Sequence, residues 1–182
     1  MAPNGRDFLN DRLIGFIKQQ KLFFVATAAP DGRVNMSPKG MDTLRVISET
    51  RIVWLNLSGS GNETAAHLRE SDRMTLMFCS FEDRPLILRT YGHARVYHPR
   101  DPGWDRLAPL FPALPGARQI VDLDIDLVLT SCGTGVPVFE FVRERGETEL
   151  LPFYDAMGKD GVEQYWARKN RKSIDGKATG TV

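Results

Sequence analysis

Two short stretches hold residue types suited to gripping an anion. Ser37-Pro38-Lys39-Gly40 combines a hydroxyl, a lysine and a glycine that lets the backbone approach a ligand. Ser58-Gly59-Ser60-Gly61-Asn62-Glu63-Thr64 is a glycine-rich turn running into the helix formers Ala65-Ala66-His67-Leu68. Free backbone N–H groups at a helix start, together with the positive end of its dipole, suit a phosphate. Ser60 stands three residues before Glu63, the spacing of a capping box in which each residue satisfies the other's backbone N–H, so a helix start at Ser60 is expected. Taken singly, the first stretch reads more readily as a strand end and the second as a mere cap.

Other catalytic signatures are missing from the sequence: it has no G-x-S-x-G elbow, H-E-x-x-H pair, Walker loop or dinucleotide G-x-G-x-x-G. His67, His93 and His98 fall in separate elements and read as surface or hydrogen-bonded structural histidines. Cys79 and Cys132 show no metal-ligand or C-x-x-C spacing, so no metal is expected, and both are expected to be reduced and buried. Arg89, Tyr91 and His93 alternate along one strand face and are candidate substrate contacts, or simply an exposed face.

The elements that must position these groups are mostly strands. Leu9, Leu13, Phe16 and Ile17 place an apolar stripe on an N-terminal helix over 8–20. Leu22–Ala28 and Val34–Gly40 flank an Asp-Gly turn and read as a hairpin. Thr43–Ser48 with Arg51–Leu57, then Arg73–Phe81, then Leu86–His98 follow as strands, and Gly92 marks a bulge or a close backbone approach. Proline-rich Pro99–Arg118 must be an excursion. Val121, Leu123, Ile125, Leu127 and Leu129 alternate on the core face of the next strand, and Val136–Arg145 reads as the last one. A C-terminal helix and an irregular tail fill 158–182, loose after Gly176. Antiparallel strands with few helices make the fold mainly β (α+β), a small six- to seven-stranded barrel over 21–145 in one domain.

At 182 residues, with 42% hydrophobic and 26% charged, the composition is that of a soluble globular protein. The first sixteen residues lack a signal-peptide pattern, so a cytoplasmic location is expected. A net charge of +1 creates no field toward nucleic acid or membrane, and the basic run Trp166–Lys172 reads as a solvated helix face.

In order along the chain, 20–40, 54–78 and 89–96 resemble the pyridoxamine 5'-phosphate oxidase-like family, and Thr130–Phe141 and Asn170–Gly176 resemble late motifs of one of its branches. The resemblance implies an FMN-binding split barrel, FMN at the interface of a homodimer, and an oxidoreductase acting on a small molecule. It places the phosphate on Lys39 and Arg45 and on Ser60, Gly61, Asn62, Glu63 and Thr64, with Ser37, Pro38 and Gly40 beside it. Val53, Trp54, Leu55 and Asn56 would run along the flavin, and Asn170, Ser173 and Asp175 would reach it from the other subunit's tail. The ring would take an electron pair and pass it to oxygen or another acceptor. Two departures stand out. Asn62 and Glu63 replace the basic pair of the founding enzymes, so Lys39 and Arg45 must carry the countercharge, and the founding enzymes' C-terminal arginine-leucine motif is absent, which argues against pyridoxamine phosphate as substrate. A flavin or haem storage protein and a deazaflavin-dependent reductase are the alternative readings.

Overall fold

Alternation builds the sheet. In the computed structural model, which describes residues 5–182, β1 (Leu22–Thr27) buries Phe23, Val25 and Thr27 and leaves the residues between them half-buried. β2 (Asn35–Gly40), β3 (Leu44–Ser48), β4 (Arg51–Leu57), β5 (Arg73–Cys79), β6 (Ile87–Tyr97) and β7 (Ala117–Ser131) complete one antiparallel sheet in the order β2-β1-β5-β6-β7-β4-β3. The sheet curls into a half-barrel rather than closing. Its edges are β2 and β3, yet the curl brings Phe23 of β1 and Trp54 of β4 edge to face at 6.0 Å. The expected split barrel is therefore present.

Helix α1 (Asp11–Gln19) covers the open side, sending Leu13 and Ile17, with Leu9 ahead of it, into the interior. It starts later than residue 8, where Asn10 accepts from the Leu13 N–H at 3.1 Å and sets the first turn. β4 is buried on both faces. Ile52 and Trp54 point into the half-barrel, while Val53 and Leu55 join Leu107, Phe111 and Ile120 in a second cluster. That cluster is roofed by the proline-rich excursion, where Pro102 opens helix α3 (Pro102–Leu107) from a position that needs no N–H donor.

The expected bulge lies at Gly92, although the extra residue, Asp126, is on β7. A Cβ on Gly92 would sit 1.9 Å from the Asp124 carbonyl oxygen, so only glycine permits this backbone approach. The bulge also shifts the burial phase. Val121, Leu123 and Ile125 are buried as expected, but beyond Asp126 it is Val128 that enters the core, and Leu127 and Leu129 turn to the outer face.

Four further expectations change. Val136–Arg145 forms no strand: Gly133 packs against the Pro85–Leu86 backbone, turning the chain off the sheet, and Pro137 removes a donor. After it comes a single π-helical turn (Gly146–Leu150) and then α4 (Leu151–Lys169), which is kinked at Gly158 and begins seven residues earlier than expected. Cys79 is buried but Cys132 is exposed. The tail beyond Gly176 is packed, with Thr179 and Thr181 only 1% and 4% exposed. None of the described helices is long and apolar enough to cross a membrane.

Candidate functional site

Strand register decides which way the β2 residues face. Lys39 pairs with Phe23, Ser37 with Val25 and Asn35 with Thr27, so all three point to the interior side of the half-barrel, while Met36 and Pro38 face out. The Lys39 ammonium lies 5.7 Å from the centre of the Trp54 ring. Burial, with the Arg118 charge nearby, pushes Lys39 down to about 8. Arg118, on β7, is 2% exposed and is pushed down to about 10 by burial. One Arg118 nitrogen donates to the Gly61 carbonyl at 3.1 Å, but its Nε has no partner, and neither has Trp54 Nε1. The ion pairs among the described residues involve neither Lys39 nor Arg118. Two cations and two idle donors without a carboxylate make a place suited to an anion. Lys39 also lines a cavity of about 630 Å³ with Lys21, Pro38, Gly40, Phe141 and Phe153, and with the carboxylates Glu144 and Glu149, a size that accepts a cofactor.

The glycine-rich turn differs from expectation. α2 (Glu63–Leu68) starts at Glu63, not at Ser60, and is only six residues long. No capping box forms. Ser60 is exposed, and both Glu63 carboxylate oxygens accept from the Ile174 N–H at 3.1 Å, because the tail outcompetes the local partner. Glu63 is thus occupied by a long-range contact. Asn62 is buried and donates to the Thr181 hydroxyl at 2.5 Å. The Thr64 hydroxyl accepts from Asn35 at 3.1 Å, and Asn35 also donates to Thr27, which meets His67 Nδ1 at 3.1 Å. That chain ties α2 to the hairpin, a role for Asn35 that sequence did not suggest.

Arg45 is not beside Lys39. Leu44 pairs with Trp54 and Arg45 with Val53, so Arg45 lies on the opposite face of the sheet. There it donates to the Leu110 carbonyl at 2.8 Å, pairs with Asp42, and covers the Phe111 ring at 5.1 Å. Val53, Trp54, Leu55 and Asn56 likewise alternate between faces, and all are buried; Asn56 donates to Gln119 at 3.0 Å. The three tail residues act on their own chain. Asn170 donates to the Gly59 carbonyl at 2.9 Å, Ser173 accepts from the Lys177 N–H at 3.1 Å, and Asp175 accepts from the Arg33 N–H at 2.7 Å and pairs with its guanidinium.

Arg89, Tyr91 and His93 share the outer face, as alternation requires. Tyr91 and His93 line a cavity of about 430 Å³ with Thr75, Arg73 and Asp126, whereas Arg89 lies outside it and donates to Ser131 at 3.2 Å. His93 stands between Asp72 at 2.9 Å and Asp126 at 3.5 Å, and these carboxylates raise its pKa above the usual histidine value. Arg118 was missed by sequence reasoning. Its signal was faint: a single cation at the start of a strand whose other charges are aspartates.

Comparison with known proteins agrees with this architecture. Residues 9–132 match the family model described as pyridoxamine 5'-phosphate oxidase. The pyridoxamine 5'-phosphate oxidase family protein ustO of Aspergillus flavus is 33% identical over 184 residues, spanning 92% of this chain and 74% of that protein. Among solved structures, a candidate pyridoxamine 5'-phosphate oxidase of Lactobacillus delbrueckii superposes with a TM-score of 0.54 at 19% identity, covering 68% of this chain and 95% of that one. HupZ of Group A Streptococcus gives 0.54 at 14% identity over 72% of this chain and 99% of its own, a likeness of fold alone. With the family model spanning most of the half-barrel and a relative matching nearly the whole chain, the protein belongs to the pyridoxamine 5'-phosphate oxidase family.

Proposed function

We propose that the protein binds FMN and works as an FMN-dependent oxidoreductase on a small molecule, as a homodimer. The observation that carries this reading is half-buried Lys39 with buried Arg118, two cations with no carboxylate partner among the described residues, and the unpartnered Trp54 Nε1 under the Lys39 ammonium. An FMN phosphate supplies the missing acceptors: Lys39 gives a point charge and Arg118 a hydrogen-bonding edge. When bound, the flavin supplies two-electron redox chemistry. Lys39, lowered to about 8 without a ligand, becomes a firmer cation once an anion sits against it. Glu63, turned to Ile174, keeps its charge from opposing the phosphate. The dimer is supported by the outer face of the sheet. Phe24, Met77, Leu127 and Leu129 form a half-buried apolar row around Arg89 and Tyr91, a surface suited to a second copy.

Absorbance of the purified protein and titration of its flavin-free form with FMN, riboflavin and a deazaflavin test the cofactor. FMN is expected to bind at least about tenfold more tightly than riboflavin, the scale of one charge-assisted phosphate contact. A colourless protein that does not take up added FMN overturns the reading. Sedimentation at micromolar concentration tests the dimer, and a monomer fully loaded with FMN would refute a shared site.

A further inference from the structure

The end of the tail lies in a cup where side-chain donors meet Gly180 and Thr181, while Thr179 donates to the Asn170 and Arg171 carbonyls. Thr181 Oγ accepts from Asn62 at 2.5 Å and from Gln119 Nε2 at 3.0 Å. Arg100 donates to the Thr181 carbonyl at 2.9 Å and also to the Gly180 carbonyl. Arg69 reaches the same place, since its guanidinium would lie 2.7 Å from a Cβ on Gly180. Burial of His98, together with the charges of Arg100, Arg118 and Arg69, pushes it down to about 4, with Asp101 acting against them. Asp101 is engaged with the His98 backbone N–H at 2.8 Å. Arg118 is more than nine-tenths buried and its Nε is unpartnered, as is His98 Nδ1. Arg100 and two amide donors, Asn62 and Gln119, thus converge on three neutral oxygens of a Thr-Gly-Thr segment, with Arg69 beside Gly180 and Arg118, bonded to the Gly61 carbonyl, at the edge. Such a donor set matches a phosphate better than it matches a hydroxyl and two peptide carbonyls.

The hold on the tail is polar. Ile174 and Val182 are 72% and 53% exposed, so the segment anchors itself with no large apolar side chain. Its outer ties are the Glu63 carboxylate on the Ile174 N–H, Asp175 with Arg33, and Lys177 with Asp31 and Glu70. Contacts of this kind at the surface are weak and are screened by salt. Release of such a strap breaks mainly polar contacts.

We propose that this cup is a phosphate site whose intramolecular occupant is the segment Thr179–Thr181, and that a phosphate group displaces the strap on binding. Because Arg118 belongs to both the cup and the Lys39 corner, the inference deepens the FMN reading, though free phosphate satisfies the same chemistry.

The test is hydrogen exchange of the amides of 173–181 in the full chain at matched ionic strength, in chloride, in inorganic phosphate, with riboflavin and with FMN. Phosphate and FMN are expected to speed exchange there about tenfold or more, and riboflavin to leave it unchanged. A chain lacking residues 178–182 is expected to bind inorganic phosphate about tenfold more tightly, because the competing occupant is gone. Should that chain fail to fold, Thr181→Val removes the central acceptor at nearly constant volume and is expected to tighten phosphate binding in the same direction. Phosphate binding that leaves the exchange of 173–181 unchanged overturns the proposal. FMN bound with the strap still protected overturns it too while leaving the FMN reading intact, and strap release by phosphate in a protein that ignores FMN does the reverse.

Discussion

The half-barrel carries basic residues in two places and treats them oppositely. On the outer side, Arg45 is tied to Asp42 and the Leu110 carbonyl, and Arg51 makes a two-pronged pair with Asp122 at 2.8 and 2.7 Å. Asp122 raises the Arg51 pKa, as expected of a satisfied pair. On the inner side, half-buried Lys39 and buried Arg118 pair with no carboxylate among the described residues, and both are pushed down by burial. A cation that serves structure is given an anion by the fold. One left bare in the interior costs stability in the free protein, and that cost is offset only when a ligand brings the charge.

The largest effect should come from removing the bare pair. Lys39→Ala with Arg118→Gln is expected to weaken FMN binding about 100-fold or more, since each contact to phosphate is a charge-assisted bond worth about 1.5–3 kcal/mol. Riboflavin binding, measured by the same fluorescence titration, should hardly change. An equal loss for both ligands would mean that the two residues support the fold rather than the phosphate. Breaking the satisfied pair should do the opposite. Asp122→Asn is expected to destabilise the protein by about 1–3 kcal/mol in denaturant unfolding, because Arg51 loses its partner, with FMN affinity preserved.

Local pattern revealed all but one of the expected strands and the Gly92 approach, because each depends on neighbours a few residues away. What sequence misjudged depends on distant contacts. Ser60 and Glu63 have capping-box spacing, yet Ile174, more than a hundred positions on, takes the carboxylate. Arg45 was placed with Lys39, but the turn through Met41, at φ 63°, sets the phase of β3 and puts it on the other face. Leu127 and Leu129 keep perfect alternation in sequence, and the extra residue Asp126 changes their side. The tail's glycines, lysines and threonines read as a loose end. Its burial comes from a donor cup assembled by residues 62, 100 and 119, which no local window contains.

A smaller effect, of opposite sign, should follow from replacing Lys39 alone with an apolar side chain. Lys39→Met is expected to raise ligand-free stability by about 0.5–2 kcal/mol at pH 7, because it removes a desolvated cation while keeping length and volume. The pH dependence gives the sign independently. Lys39 titrates at about 8 in the folded chain and at 10.5 when unconstrained, so between these values the unfolded state holds more protons. Stability should therefore gain from this group as pH rises from about 8 toward 10.5, and the penalty is fully present below about 8. Denaturant curves of parent and Lys39→Met should converge across that window. Parallel curves would show that Lys39 is solvated in the free protein.

The smallest effect should be that of Arg45, although its place in the sequence makes it look like a phosphate ligand. Its guanidinium is spent on Asp42, which is well exposed, and on the Leu110 carbonyl, and it lies against Phe111 on the face away from Trp54. Exposed pairs of this kind contribute about 0–1 kcal/mol, so Arg45→Ala should lower stability by no more than that, part of it from lost packing on Phe111. FMN affinity should stay within about twofold, and its dependence on salt should match the parent's, because no charge near the phosphate has been removed. A loss as large as that of Lys39→Ala would mean that Arg45 reaches the cofactor from a second subunit, and the division between neutralised outer cations and bare inner ones would then describe the isolated chain but not the dimer.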